Sequence, residues 1–423
     1  MLSVDALDSE GRGVARNPEG KVVFVEGALP GERVASRKVG GKAKFDVARA
    51  TAILEPSAGR RKPLCPHFGV CGGCATQHAD ERTQMAAKQR WLEDCLERIG
   101  KVEPESMLPI TYGPEWGYRH RARLSVRYLT VRGAMVGFRE RRSTHVAEMH
   151  ECQVLPPAVS ALLVPLRELV GKLSIKERLP QIEVAVADNA TVLVFRHLLP
   201  LTQEDQDHLR AFAQTHEVHA WLQPVGPDSA HPFHPAQSQP YYELPEFGVR
   251  LHFRPTEFTQ VNHAMNRALV AKAVKLLGPQ PGERIADLFC GLGNFSLPLA
   301  ARGAQVVGFE GSRELVARAR QNAAANDLVA QFEVLDLFKS GIGAFGPFSK
   351  ILIDPPREGA VELAKSLPAQ WPQRLLYVSC DPATLARDAG ILVHTKGFRL
   401  ASAGVVNMFP HTAHVESVAL FER

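Results

Sequence analysis

The sequence lacks any apolar run that could cross a membrane, and we expect no signal peptide at its N-terminus. A membrane-spanning helix needs about 18 or more apolar residues in succession, and no stretch of the 423 residues approaches that length. The N-terminus has an acidic residue at Asp5 and no long apolar core after it, which argues against a signal peptide. These absences predict a cytoplasmic protein with no membrane partner.

Cysteine is too sparse for a disulfide framework. The seven cysteines are few and odd in number, which predicts a reducing compartment where thiols serve chemistry or metal binding. The length allows two or three domains with a substantial core. A hydrophobic content of 45% is ordinary for a globular chain.

Positive charge is concentrated in two segments, although the net charge is only +5. Residues 33–62 hold nine Lys or Arg against two acids, and residues 119–142 hold eight Arg against one acid. Single charge runs are usually solvated faces. Two of them, the second almost purely Arg, favour a surface that neutralises phosphates, so nucleic acid is the expected partner.

Residues 1–58 have the short alternating segments and Gly/Pro turns of a small β-barrel. Strands are predicted at residues 4–7, 21–25, 32–39 and 44–54. An OB-like module with Lys and Arg on its open face binds RNA backbones. A purely structural β-domain is the alternative, and the basic excess favours RNA binding.

Three closely spaced cysteines follow a linker at residues 56–63. Glycines between Cys65, Cys71 and Cys74 let the backbone fold tightly around a metal centre. For the fourth ligand, Cys152 in a polar segment is a better candidate than Cys95, which lies on an apolar helical stripe. Zinc and an iron–sulfur cluster both accept four thiolates, and the spacing does not separate them. A redox Cys-x-x-Cys pair is disfavoured by the extra cysteine.

The segment that follows has α+β character. The predicted elements are a strand with a basic face at 119–128, a helix at 156–173 and a hairpin at 182–196. Residues 223–240 contain five prolines and are predicted to form a loop. We expect His231 and His234 to be loop residues rather than metal ligands.

From about residue 261 helices and strands alternate, which is typical of a parallel α/β sheet. A predicted strand at 284–288 runs into a turn containing Gly-x-Gly, which opens a helix. The next predicted strand ends in Glu310, nineteen residues beyond Gly291. A carboxylate in that place can bind the two ribose hydroxyls of a nucleotide cofactor.

The details of this turn favour S-adenosylmethionine over NAD. Ser296 replaces the third glycine of a dinucleotide fingerprint, while Asp287 and Asn294 suit a zwitterionic amino-acid tail. Later strands end in Asp336, placed for the adenine side, and in the Asp-Pro-Pro-Arg of residues 354–357. Amino-group methyltransferases carry an aromatic residue where this chain has arginine, so methylation of an exocyclic nitrogen is disfavoured.

A further buried strand, at residues 375–378, leads to Cys380 in a tight turn closed by Asp381 and Pro382. Open α/β sheets place their chemistry at this carboxyl edge. Cys380 is therefore a candidate nucleophile, because a thiolate attacks electron-poor carbon. A small buried apolar residue is the alternative for a lone cysteine.

Five motifs in this order resemble those of the RNA uracil-5-methyltransferases, and the match covers nearly the whole chain. They occupy residues 65–74, 287–296, 354–357, 379–388 and 411–416. Within that family the N-terminal barrel resembles a TRAM domain. The barrel together with the cysteine motif resembles the branch that acts on 23S ribosomal RNA.

The resemblance implies a multidomain α/β protein. Its parts are an OB-like TRAM barrel at 1–58, a central α+β domain with a [4Fe-4S] cluster at 59–260 and a Rossmann-like class I methyltransferase domain at 261–423. It places the cluster on Cys65, Cys71, Cys74 and Cys152. It places S-adenosylmethionine on Gln260, Phe289, Asn294, Glu310, Asp336 and Asp354.

The implied activity is methylation of carbon 5 of a uridine in 23S ribosomal RNA. Cys380 becomes the nucleophile that adds to carbon 6, and Glu416 becomes the general base. We expect a monomer that takes a uridine flipped from a single-stranded loop. Asp381 or Asp354 is a candidate for orienting the uracil edge.

Three alternatives remain at this point. The same chemistry could act on another RNA, or the chain could be an RNA-binding protein with an inactive methyltransferase fold. A nucleic-acid cytosine-5 methyltransferase shares the attack at carbon 6. The group that activates the Cys380 thiol is not indicated by the sequence.

Overall fold

A closed five-stranded barrel forms the N-terminal part of the computed structural model, which describes residues 1–423. Its strands are β1 (Leu2–Leu7), β2 (Gly13–Arg16), β3 (Val22–Glu26), β4 (Arg33–Lys42) and β5 (Phe45–Glu55). Alternate residues such as Val25 and Val34 point inward and fill a small apolar core. The predicted barrel is confirmed. Strand β2 was not predicted, because four residues are too few to show an alternating pattern.

The first basic segment lies on the surface of this barrel. Strands β4 and β5 are its longest and pair antiparallel as a hairpin. Arg37, Lys42 and Lys44 are exposed on that hairpin. The hairpin therefore presents a positively charged surface to solvent.

Helix α1 (Glu81–Cys95) and strand β6 (Ser106–Met107) follow the cysteine motif. The helix begins at Asp80, whose side chain accepts a hydrogen bond from the Thr83 N–H. It ends in a π-helical turn at 96–100. Cys95 is buried in an apolar cluster with Leu92, as its place on the helical stripe predicted.

A six-stranded sheet and three helices make up the middle of the chain. The strands are β7 (Arg121–Leu129), β8 (Gly133–Gly137), β9 (Gln181–Val186), β10 (Thr191–Arg196), β11 (His219–Gln223) and β12 (His231–His234). The helices are α2 (Pro157–Ser160), α3 (Leu163–Lys172) and α4 (Gln203–Thr215). The strand order is β12-β11-β10-β9-β7-β8, antiparallel except for the β10–β11 pair.

Two predictions for this middle part need correction. The single helix predicted at 156–173 is the pair α2 and α3. The loop predicted at 223–240 contains strand β12, which pairs with β11 at the edge of the sheet. An edge strand tolerates proline because one side of it makes no ladder hydrogen bonds.

The C-terminal part is an open sheet with helices on both faces. Its strands are β15 (Arg284–Leu288), β16 (Gln305–Glu310), β17 (Ala330–Val334), β18 (Lys350–Ile353), β19 (Arg374–Ser379), β20 (Arg399–Val406) and β21 (Glu416–Glu422). Its helices are α5 (His263–Leu277), α6 (Ser296–Ala301), α7 (Arg313–Ala325), α8 (Val361–Ser366) and α9 (Pro382–His394). A two-stranded ribbon, β13 (Tyr241–Leu244) with β14 (Val249–His252), precedes them.

The strand order in this sheet is β17-β16-β15-β18-β19-β21-β20-β6. Strands β15 to β19 run parallel, and β21 returns antiparallel beside β19. Buried apolar clusters cover both faces, which explains the nearly continuous apolar strands in the sequence. Helix α1 packs on α9, and β6 extends the far edge of the sheet beside β20.

None of the helices has the length and apolar character needed to cross a membrane.

Candidate active site

A cavity of about 560 Å³ lies at the carboxyl edge of the parallel strands. This edge is where open α/β sheets bind their ligands. All eight residues expected to act in catalysis or cofactor binding line this one cavity. They are Gln260, Phe289, Asn294, Glu310, Asp336, Asp354, Cys380 and Glu416.

Cys380 stands between a buried strand and a helix. Strand β19 ends at Ser379, and helix α9 begins at Pro382 with Asp381 as its N-cap. The Asp381 carboxylate accepts hydrogen bonds from the N–H groups of Ala383 and Thr384. Asp381 therefore fixes the helix start and does not line the cavity, so the suggestion that it orients the uracil edge is not supported.

Strand register sets Cys380 opposite Glu416. Ser379 of β19 pairs with Ser417 of the antiparallel strand β21, and the Ser417 hydroxyl donates to the Ser379 carbonyl at 3.1 Å. Cys380 directly follows this pair on one side, and Glu416 directly precedes it on the other. Two residues 36 positions apart in sequence thus line the same cavity, close enough for the charge of Glu416 to act on the Cys380 thiol.

Burial and mutual repulsion disfavour the charged forms of the reactive groups. Burial, then the charges of Glu416 and Asp354, raise the pKa of the Cys380 thiol to about 11, and the cation of Arg357 opposes this rise. Burial raises the pKa of Glu416 well above its usual value, and Asp354 adds to that effect. The pKa of Asp354 is raised to about 7, mainly by burial.

The Gly-x-Gly turn is held by the carboxylate at the end of β16. Phe289, Gly291 and Gly293 all have positive φ, so the chain turns sharply between β15 and α6. The Gly291 N–H donates to Glu310 at 3.2 Å. Glu310 therefore contacts the turn, while its other oxygen accepts from the Ser312 N–H. Its predicted role in binding the ribose hydroxyls stays a prediction.

Asn294 belongs to a polar network that the sequence did not reveal. Its Oδ1 accepts hydrogen bonds from the Tyr242 hydroxyl at 2.8 Å and from Asn266 Nδ2 at 2.9 Å, and its Nδ2 donates to Asn266 Oδ1 at 3.0 Å. These partners fix the orientation of the Asn294 side-chain amide. One of its two N–H groups makes no hydrogen bond to them and can donate to a ligand. No local signal marks Tyr242 or Asn266, because both come from distant elements.

Asp287, which the sequence pattern grouped with Asn294, does not line the cavity. It is fully buried and accepts a hydrogen bond from the Ser296 hydroxyl. Its role is to tie the start of α6 to β15. Burial raises its pKa to about 7.

The cavity is also lined by residues that were not assigned to the site from the sequence. Phe409 and His414 line the cavity, and His414 Nδ1 lies 3.3 Å from a guanidinium nitrogen of Arg357. His414 and Arg357 both lie in motifs shared with the RNA uracil-5-methyltransferases. Their place in those motifs is the signal that could have identified them. At the cavity rim Asp336 is half-exposed and pairs with Lys339 at 2.9 Å.

A second cavity, of about 240 Å³, is lined by the four cysteines Cys65, Cys71, Cys74 and Cys152. The Gly73 N–H points at Cys71 Sγ at 3.4 Å, as expected for glycines that direct amides at sulfur. No three His, Cys, Asp or Glu side chains converge closely enough to hold a single metal ion. The structure nevertheless brings the four predicted cysteines to one cavity.

The two cavities are neighbours. His414 lines both of them. The N–H groups of Ala75 and Thr76, just after the cysteine motif, donate to the carbonyl of His411 at 2.8 and 3.0 Å. The cysteine segment therefore contacts the chain that leads into Glu416.

The fold, together with the family model and the relatives given below, defines the class as an S-adenosylmethionine-dependent methyltransferase. A solved structure that covers all of this chain shares the fold, with a TM-score of 0.77 and 23% identity. It is the tRNA (uracil-54, C5)-methyltransferase of Pyrococcus abyssi in complex with S-adenosyl-L-homocysteine, and all of that chain is matched.

The chain belongs to the tRNA (uracil-5-)-methyltransferase family, whose model matches residues 82–338 and 342–423. A TRAM domain model matches residues 2–35. A relative from Thiobacillus denitrificans is 59% identical, covering 100% of this chain and 99% of its own. One from Azoarcus sp. is 57% identical, covering 99% of each chain. Both are named 23S rRNA (uracil(1939)-C(5))-methyltransferase RlmD.

Proposed function

We propose that this protein methylates carbon 5 of a uridine in 23S ribosomal RNA, at the position equivalent to uracil 1939 of its relatives' substrate. The observation that carries the proposal is that Cys380 and Glu416, each next to the Ser379–Ser417 strand pair, line the cavity that also contains the expected cofactor residues. Relatives that match essentially the whole chain bear this activity in their names.

The cavity suits S-adenosylmethionine in size and chemistry. Its volume of about 560 Å³ is in the range of small-molecule sites, about 300–1,000 Å³. Glu310 and Asp336 offer carboxylates for the ribose and adenine sides, and Asn294 suits the amino-acid end. Gln260 and Asp354 complete the proposed set of polar cofactor residues. Phe289 offers an apolar face. When bound, S-adenosylmethionine supplies an electrophilic methyl group.

The reaction follows from the chemistry of uracil. Carbon 5 is a poor nucleophile until the Cys380 thiolate adds to carbon 6, which makes carbon 5 electron-rich. After carbon 5 has accepted the methyl group, Glu416 removes its proton. The carbon 6–sulfur bond then breaks, the ring double bond is restored and Cys380 leaves as thiolate.

We infer that RNA is held by the basic surfaces of the barrel and the middle part of the chain. The exposed cations of the β4–β5 hairpin suit phosphates. The domain boundaries of 1–58, 59–260 and 261–423 stand as part of this proposal. So do a monomeric state, action in the cytoplasm and a uridine flipped out of a single-stranded loop.

We further propose that Cys65, Cys71, Cys74 and Cys152 hold a [4Fe-4S] cluster. The support is that all four cysteines line one cavity, together with the resemblance of the cysteine motif to that of the family. Burial raises the pKa of Cys74 to about 12 and that of Cys152 to about 11, so without a cationic centre these thiols stay protonated. We assign the cluster a structural role beside the active-site wall.

The test is a map of 5-methyluridine in ribosomal RNA from cells that carry the wild type, Cys380→Ala or no copy of the protein. One site should be methylated with the wild type only. Cys380→Ala should lower methyl transfer in vitro about a thousandfold or more, since the covalent step is lost, while binding of S-adenosylhomocysteine is retained.

The matched control is Cys95→Ala, which removes a buried thiol of helix α1 that does not line the cavity. It should methylate as the wild type does. Full methylation by Cys380→Ala, or an unchanged RNA map without the protein, would end the proposal.

A further inference from the structure

The segment Asn407–Val415, called the strap below, joins β20 to β21 and leads directly into Glu416. It has no regular secondary structure, yet most of it is buried. Two of its side chains, Phe409 and His414, line the active-site cavity, and their ring centroids lie 5.6 Å apart. The shape of the wall therefore depends on how the strap is held.

Lys88 of helix α1 holds the first half of the strap. Its ammonium donates to Asn407 Oδ1 at 2.7 Å and to the Phe409 carbonyl at 2.8 Å. The side chain is only 4% exposed. Burying a cation is costly unless its hydrogen bonds are made, and here the strap provides those acceptors.

No charged partner compensates for the burial of Lys88. Burial alone lowers its pKa to about 7, with no contribution from a nearby carboxylate. The titratable groups of the strap that face it are His411 and His414, and the pKa values of both are lowered. Burying a lysine ammonium without a carboxylate partner costs free energy. The two hydrogen bonds to the strap offset part of that cost, so they couple the position of the strap to Lys88.

The second half of the strap is held from the same helix face. Gln84, one turn before Lys88, accepts a hydrogen bond from the His411 N–H at 2.8 Å. His411 has a φ of 64° and stacks on Trp116 at 3.9 Å between ring centroids. The Tyr118 hydroxyl donates to the Pro410 carbonyl at 2.9 Å. The strap is thus pinned at successive residues.

We propose that Lys88 is a positioning residue, which fixes the strap so that Phe409, His414 and Glu416 present the correct wall to the target base. The inference rests on the proposed uridine methylation. Cys380 lies on a different connection, between β19 and α9, and the cofactor carboxylates follow other strands. Loss of Lys88 should therefore disturb proton removal by Glu416 more than thiol addition or cofactor binding.

The test compares Lys88→Met with Arg90→Met in single-turnover assays on the target RNA. Arg90 lies on the same helix, is exposed and pairs only with Asp94, so it is the matched control. Because small misplacements are costly in catalysis, we expect the single-turnover rate constant to fall about ten- to a hundredfold in Lys88→Met. The affinity for S-adenosylhomocysteine should stay within about twofold of wild type, whereas Arg90→Met should match wild type throughout.

The distinguishing readout is the covalent protein–RNA adduct on denaturing gels. If Lys88 acts through Glu416, the adduct should form in Lys88→Met and then persist longer than in the wild type. Asn407→Ala, which removes one acceptor and keeps the lysine, should show the same effect more weakly. In the double variant the two changes should be less than additive, since both disrupt one contact.

Two results would overturn the inference. One is a Lys88→Met variant whose turnover rate and adduct lifetime equal those of the wild type. The other is a loss of cofactor binding parallel to the loss of activity, which would show a general folding role. Failure of the proposed function is distinct from both, because the wild type itself would then transfer no methyl group to the RNA.

Discussion

At the scale of single residues, the reactive thiol lies in surroundings that oppose its ionisation. Burial and the carboxyl groups of Glu416, Asp354 and Asp381 raise the pKa of Cys380 to about 11, and the cation of Arg357 opposes this rise. The free protein therefore holds Cys380 as a thiol at neutral pH. This protects the nucleophile from side reactions, since thiolate is the reactive form.

This environment predicts the pH dependence of Cys380 alkylation by iodoacetamide. In the free protein the rate should rise about tenfold per pH unit through neutral pH, because the thiolate fraction does so below the pKa. Asp354→Asn removes a repelling charge, so its profile should shift to lower pH. Arg357→Met removes the stabilising cation and should shift it to higher pH. Mass spectrometry of the peptide with Cys380 gives the rates.

Opposite shifts in the two variants are the signature of this charge arrangement. A Cys380 profile that levels off below pH 8, or that neither substitution moves, would contradict it.

At the scale of elements, the cysteine segment and the strap form one connected unit beside the active site. Ala75 and Thr76 donate to the strap at His411, and His414 lines the cavities on both sides. A cluster on the four cysteines would hold this contact in place. Its effect on catalysis would then be mechanical rather than chemical.

Replacing one cluster ligand should release the metal centre. We expect Cys71→Ala to lose iron, acid-labile sulfide and visible absorbance, falling to about a tenth of wild type or less, since structural metal sites need all their ligands. The readings are metal analysis and the absorption spectrum of protein purified without oxygen.

The control is Cys95→Ala, whose thiol is 2% exposed among apolar side chains of the helix. It should keep full iron content. Iron retained in Cys71→Ala, or zinc without sulfide in the wild type, would exclude the proposed cluster.

At the scale of the whole molecule, the C-terminal sheet could be predicted far better than the contacts that complete its site. Strands β16 and β19 are largely apolar runs, so Glu310 and Cys380 could be placed at strand ends from the sequence. Tyr242 and Lys88 could not be placed. Lys88 contacts Asn407, 319 positions later, and no local periodicity encodes such a pairing.

The same limit explains the short elements that escaped prediction. Strands β2 and β12 have four residues each, with a glycine in one and a proline in the other. Their conformation comes from neighbouring strands rather than from their own pattern. Helix α1 was predictable as a helix, but its docking on α9 brings Gln84 and Lys88 to the strap only in the folded chain.

The central claim is that Cys380 bonds covalently to carbon 6 of the target uridine. Glu416 then removes the proton from carbon 5, which allows the carbon–sulfur bond to break. It is tested most directly by incubating Glu416→Gln with the RNA and S-adenosylmethionine, then resolving the product on a denaturing gel. We predict a stable protein–RNA band that ribonuclease shortens, with the methylated nucleotide attached to the Cys380 peptide. Absence of that adduct under conditions where wild type methylates, or attachment at another residue, would contradict the account.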